Sequence, residues 1–497
     1  MLLGIDLRAL AVFRVAIGVI LLVDLVVRAT ALGAHYTDAG VVPRSFYFTY
    51  YPADWALSLH LLSGSLWWQA VLFAAAGLAA LALTAGYRTR AATWCAWLLT
   101  LSLHTRNPLV LNGGDWLLLD LLLWSLFLPL GARFSLDALA GRPAQPAPYH
   151  LSVATLGILL QVCFVYWFTV IFKAEEVWLV DGSALQYALR LDRFVRPAGV
   201  WLLGAPDAVL NALSVGTYWL EMVGPALAFV PFITGFWRSL AALSFIAFHA
   251  GLAATLMIGL FPFVCMAAWV LFLPAPFWDR LGALVPMDPA RRFAVHNLPR
   301  FRRLAQRLRV RGIDPGAAPG LRGMVLQALL LVYMLSANLL TANLMESVYY
   351  DLFFSRLEPF GNAIRFEERW NMFAPAPPTR DGWYVMEGRL ADGASVDLFH
   401  GGPLSWERPA HIAETYKNQR WRKYLEYVMD QAPLLAPELA RYWLRQSRAL
   451  DPALTDVRVV LLREETRDDF SSTPVELRVL ATEQAGEAPN RANTLIK

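Results

Sequence analysis

The sequence predicts a polytopic α-helical membrane protein, with eight or nine transmembrane helices followed by a C-terminal α+β domain outside the membrane. Three observations carry this reading. Hydrophobic residues make up 57% of the 497-residue chain and charged residues 16%, against roughly 25% charged in soluble domains. Mean hydropathy is +0.43. The 19 tryptophans suit two membrane interfaces, where amphipathic rings collect.

The first apolar run, 9–32, follows Arg8 and holds Arg14 and Asp24. It is long and has no small-residue cleavage site, so it reads as a span and not as a cleavable signal peptide. At 1.5 Å per residue its two charges lie about 15 Å apart along the axis and do not pair directly. Each costs on the order of 2.5–3.5 kcal/mol unless partnered or hydrated. A structural clamp between helices and a functional pair are both open readings.

Next come 66–86, the short run 91–104, then 116–131 and 151–173. Leu151 to Phe172 contains no charged side chain and ends at Lys173, next to Glu175, Glu176 and Trp178. That length is about what a helix needs to cross the hydrocarbon core. A lysine at a span end can snorkel to the interface. Alternatively, a desolvated amine loses up to ~3–5 pKa units and becomes a neutral base near pH 7. Close carboxylates oppose that second role, so it requires Glu175 and Glu176 to be turned away or neutralised. The remaining runs are 207–231 with Glu221, 239–257 with His249, the short 259–274, and 323–345. The short third and eighth runs leave the count at eight or nine.

Arginine placement favours a cytoplasmic N-terminus. With that orientation Arg8, Arg88, Arg90, Arg133, Arg142 and Arg238 fall inside, together with a block of eight arginines between Arg291 and Arg311. Phe301, Leu304 and Leu308 interleave with this block at helical spacing, so segment 288–312 is expected to lie on anionic lipid and not on nucleic acid. Lys173 and the loops 33–65 and 174–206 then face outward, where the loops are expected to roof a site above the lysine. Residues 1–345 form the membrane domain. Residues 346–497 form the α+β domain, expected on the outer side, opening with a hairpin in which Trp383-Tyr384-Val385 and Val396-Asp397-Leu398 flank Ala391-Asp392-Gly393.

Several chemistries lack a motif. The eight histidines and three cysteines show no metal-ligand spacing, so no metal is expected. Phosphate-binding, dinucleotide and hydrolase signatures are absent. Cys95, Cys163 and Cys265 sit within apolar runs, as small buried hydrophobes do.

The order of short elements resembles the vitamin K-dependent γ-carboxylase family, and within it bacterial proteins carrying the horizontally transferred transmembrane (HTTM) domain. The resemblance rests on Asp6, Leu10-Ala11-Val12-Phe13-Arg14 and Asp24. It continues through Tyr36-Thr37-Asp38, Asp54-Trp55, Gly86-Tyr87-Arg88, and Asn107 with Gly113. Phe172-Lys173 with Trp178 and Gly182, then Phe248-His249 with Ile258-Gly259-Leu260-Phe261, and finally Trp370-Asn371-Met372 complete it. The resemblance implies a quinol-epoxidising lyase using reduced vitamin K or menaquinol, O2 and CO2. A neutral lysine deprotonates the quinol, oxygenation yields a strong base, and that base removes a glutamyl γ-proton before CO2 adds. It implies Lys173 as base, Asn107, Trp178 and His249 as quinol-contacting residues with His249 also catalytic, and Arg14, Asp24 and Glu221 as architectural. Expected partners are membrane lipids, a lipophilic quinol and a glutamate-containing peptide or protein. In the animal enzymes a carbanion-stabilising histidine follows the asparagine equivalent to Asn107; here Pro108 stands there. Alternatives are therefore a quinol oxygenase serving another acceptor, and a non-catalytic membrane protein binding lipid or a protein partner.

Overall fold

The computed structural model describes residues 2–51, 56–140, 148–284, 303, 320–344, 354–366 and 370–486. Apart from Arg303, the arginine-rich segment 288–312 lies outside the described residues, as do Asp54 and Trp55.

Eleven helices carry the first part: α1 Leu7–Ala29, α2 Leu66–Ala85, α3 Thr89–Arg106, α4 Gly113–Ser125, α5 Val153–Phe172, α6 Pro197–Leu203, α7 Asp207–Leu227, α8 Thr234–Thr255, α9 Phe261–Val270, α10 Ala275–Leu284 and α11 Leu321–Thr341. Their starts are written in the sequence. Asp6 caps α1 by accepting from the Arg8 amide at 2.7 Å. Ser152 with Thr155, and Asn112 with Asp115, form capping boxes for α5 and α4. Strands β1 (Ile5–Asp6) and β2 (Tyr149–His150) pair antiparallel and tie the start of α1 to that of α5.

Five of these helices (α1, α2, α5, α8 and α11) are long and apolar enough to cross a membrane, and the bent pairs α6–α7 and α9–α10 raise the number to seven. The runs at 91–104 and 116–131 also form helices, but α3 carries Arg90, His104 and Arg106, and α4 has only 13 residues, about 20 Å of helix. Both lie largely inside the bundle. Every residue of α4 from Leu117 to Ser125 is buried. At Gly157 of α5, an added methyl would come within 2.5 Å of the buried Trp124 ring, so the glycine sets how closely α5 packs on α4. Val12, Val15, Val19, Val23 and Val26 form an exposed stripe along α1, a surface suited to lipid chains.

The C-terminal part is a four-stranded antiparallel sheet of order β4-β3-β5-β6. Its strands are β3 Arg380–Leu390, β4 Ser395–Asp397, β5 Leu454–Glu465 and β6 Glu476–Gln484, with α12 Gln419–Asp430 and α13 Ala432–Arg448 between β4 and β5. The hairpin β3–β4 turns at Gly393, as its residues predict, with Glu387 opposite Asp397. Loop 33–65 joins this part: Tyr36, Val41, Val42 and Phe46 share a core with Trp383, Tyr384 and Leu461. That loop therefore braces the sheet domain, and the expected cover over Lys173 comes from elsewhere.

A buried polar joint fastens the two parts. Arg420 of α12 donates to Asp115 through both terminal nitrogens (2.6 and 2.8 Å) and to Asp24 at 2.5 Å. Arg28, one helical turn after Asp24, donates to Asp24 at 2.7 Å, to Asp115 at 2.5 Å and to the Tyr36 hydroxyl at 2.7 Å. Two carboxylates face two guanidiniums, and all four residues are buried. Bidentate guanidinium–carboxylate bonds are among the stronger charge-assisted contacts. A second contact lies at Arg193, whose backbone amide donates to Asp381 at 3.3 Å, while its guanidinium stays 4.0 Å away.

Removing one partner of a buried pair leaves the other uncompensated, so Arg420→Ala should destabilise the protein by about 3–5 kcal/mol, read as a lower thermal unfolding midpoint in detergent. Burial pushes the Asp381 carboxyl up to about 6, against the opposing pull of Arg193. The folded state then holds this proton more tightly than the unfolded chain. Its stabilisation is full below about pH 4 and is lost as pH rises through about 6, up to about 3 kcal/mol. Unfolding midpoints measured from pH 4 to 7 should show this slope, and Asp381→Asn should flatten it.

Candidate functional site

Lys173 ends α5 as its C-cap residue, with its backbone amide donating to Val170 O at 3.0 Å. Its side chain turns inward and is 1% exposed, which excludes a snorkelled amine in water. The Nζ donates to the Glu221 carboxylate of α7 and lies 3.7 Å from the centre of the Trp178 ring. An aromatic face attracts a cation at this distance, more strongly where water is absent. Glu175 and Glu176 are exposed; the carboxylate that meets the lysine is Glu221. Gly224, three residues beyond it, allows the approach of α7 to α8, since a methyl there would sit 2.7 Å from the Phe245 ring.

The cover over this pair comes from two segments. Trp178, in the loop after α5, donates its indole N–H to Pro375 O at 3.2 Å, and the Ala174 amide donates to the same carbonyl at 2.8 Å. The segment Asn371–Pro375, just before β3, thus pins the tryptophan that lies on the lysine.

Below the pair, the polar groups continue into the bundle. Tyr166 precedes Lys173 by seven residues, two turns along α5. Its hydroxyl bonds His249 Nε2 of α8 at 2.7 Å and accepts from the Trp269 indole of α9 at 2.8 Å. Phe245 stacks on Trp269 at 4.1 Å, and Phe261 stands edge-on to His249 at 5.6 Å. A file of polar groups from Lys173 to His249 is therefore enclosed by aromatic rings.

The structure brings Lys173, Trp178 and Glu221 into contact and puts His249 on the same file. Asn107 is held elsewhere. It caps the end of α3, its amide donating to His35 O at 2.9 Å and its carbonyl accepting from the Leu109 amide at 3.1 Å. Arg14 donates to the carbonyls of Leu130, Arg133 and Phe134 in the turn after α4, and Asp24 belongs to the joint. The ligand atoms of Asp24, His104 and Asp115 lie within 4.8 Å of one another. Both carboxylates, however, already accept from Arg28 and Arg420, whose positive charges oppose a metal ion. Sequence reasoning missed Tyr166 and Trp269. The i, i+7 spacing of Tyr166 to Lys173 was the available signal for the first.

Removing only the lysine would strand a buried carboxylate, so Lys173→Met should destabilise by about 3–5 kcal/mol, and Lys173→Met/Glu221→Leu should recover most of that loss. Thermal unfolding in detergent reads both.

A family model described as the HTTM domain matches residues 4–278, a region holding Lys173, Trp178, Glu221, Tyr166, His249 and Trp269. No curated protein and no solved structure matches the chain. The match covers more than half of the chain, and its residues build the whole polar file: the chain belongs to the HTTM-domain family.

Proposed function

We propose that this chain is a membrane-embedded, quinol-dependent enzyme of the vitamin K carboxylase type, with Lys173 as the group that takes the quinol proton. The carrying observation is the Lys173 amine, buried at a helix end, bonded to Glu221 and lying on the Trp178 face. Two features of the surroundings suit an aromatic ligand that carries oxygen: rings line the file, and His249 Nδ1 has no hydrogen-bond partner among the described residues. Reduced vitamin K or menaquinol with O2 supplies, when bound, the base strength needed to remove a glutamyl γ-proton before CO2 adds.

The chain's own residues manage the proton. Lys173 and Glu221 share one proton in a site that disfavours isolated charge. As carboxylic acid and free amine, the pair leaves Nζ able to accept a second proton. The ammonium then opposes the negative charge left on the quinol oxygen. Trp178, pinned by Pro375, keeps water from this amine. We place the N-terminus inside and count α3 and α4 as crossings; nine crossings then set the sheet domain on the outer face, where eight would leave it inside. The quinol then enters from the lipid and a glutamate-containing peptide or protein from the outer water.

One observation favours a quinol oxygenase serving another acceptor. Pro108, standing where the animal enzymes have a carbanion-stabilising histidine, opens a short 3-10 turn, while the Asn107 side chain donates to His35 O and accepts from the Leu109 amide of that turn. The deciding experiment supplies purified protein with reduced vitamin K or menaquinol, O2, labelled bicarbonate and glutamyl peptides. Quinone epoxide with label in the peptide is the expected result, and Lys173→Ala should lower epoxide formation about 100-fold or more. Epoxide without label supports the other acceptor. Neither product, across several quinols and peptides, overturns both enzymatic readings in favour of a lipid- or protein-binding role.

A further inference from the structure

Trp269 carries only a donor, so its 2.8 Å bond fixes the Tyr166 oxygen as acceptor. The Tyr166 proton is then left for another group. The Cys265 thiol is within reach, but sulfur accepts weakly. His249 Nε2, at 2.7 Å, is the better acceptor. An Nε2 that accepts belongs to a neutral imidazole whose proton sits on Nδ1. That nitrogen is buried with no hydrogen-bond partner among the described residues, in a side chain on a residue 1% exposed. An unmade buried donor costs about 1–3 kcal/mol, and a site tolerates it where a ligand completes the bond.

We infer that His249 is held as a neutral donor whose Nδ1–H meets an oxygen of the bound quinone or quinol, and that Tyr166 and Trp269 are the residues that position it. This rests on the quinol reading and assigns His249 the task of holding an oxygen, leaving proton acceptance to Lys173. Tyr166 spans the two tasks, since it shares α5 with Lys173 and a hydrogen bond with His249.

Histidine-selective 15N spectra of the full-length protein in detergent, with His249→Gln assigning the signal, read the tautomer. The expected result is a protonated Nδ1 and a bare Nε2, an Nδ1 signal that moves when menadione is added, and a tautomer mixture in Tyr166→Phe. Menadione binding, followed by tryptophan quenching, should weaken about three- to tenfold in Tyr166→Phe and His249→Ala. His249→Asn keeps an N–H donor at the Nδ1 position and should stay within about twofold of wild type. A bare Nδ1 in the wild-type protein overturns the inference, and that measurement needs no variant to fold. A protonated Nδ1 indifferent to menadione, or His249→Asn binding as weakly as His249→Ala, overturns it as well. Absent turnover with the expected tautomer and binding sinks the carboxylase-type chemistry alone; retained turnover with a bare Nδ1 sinks the inference alone.

Discussion

A charge removed from water must meet its opposite, and in this protein that constraint decides where the two parts join. Arg420 reaches from the sheet domain into the helical part and meets Asp115 and Asp24, with Arg28 completing the balance. Attraction in a low-dielectric interior is strong, but so is the desolvation it must offset. Geometry settles the outcome. Each carboxylate accepts from both guanidiniums, Tyr36 Oη and Val110 O each accept one further arginine proton, and Arg420 Nε is left buried without a partner among the described residues. Asp115 also sits in the first turn of α4, where the helix end favours negative charge.

The same constraint shapes the candidate site on a smaller scale. Among the described residues, Lys173 and Glu221 form a pair without a third charge bonded to either, so each charge has only the other to offset its burial. The joint and the site are linked through the outer segment. The chain that leaves Pro375, which holds Trp178 against the lysine, runs directly into β3 and the sheet that Arg420 anchors. Docking of the sheet domain and closure over the lysine are consequently parts of one arrangement.

Much of this was legible in the sequence, for reasons that differ by element. Long apolar runs announce themselves, and α1, α2, α5, α8 and α11 fall where the runs do. The hairpin at Gly393 follows from turn chemistry, and the paired ends β1 and β2 are too short to carry a pattern. Lys173 stood out because it ends an uncharged run of span length. Its partner did not: Glu175 and Glu176 are near in sequence, while Glu221 is near in space because α7 packs on α5 and α8. Arg420 gave no signal at all, since it sits in a polar helix and its partners lie 305 and 396 positions away. Local pattern reports which residues are buried; pairing across such separations depends on the finished fold.

The bidentate contact of Arg420 also bears on modularity. The family-matched region ends at residue 278, yet two of its buried aspartates are balanced by one arginine from within and one from beyond it. Severed there, the helical part would enclose two carboxylates against a single guanidinium, an electrically incomplete fragment. Exchanging the sheet domain for another would succeed only if the substitute delivers a cation to the same depth. In this chain the portable unit is thus larger than the region shared with the family, and its boundary is drawn by charge balance more than by chain order.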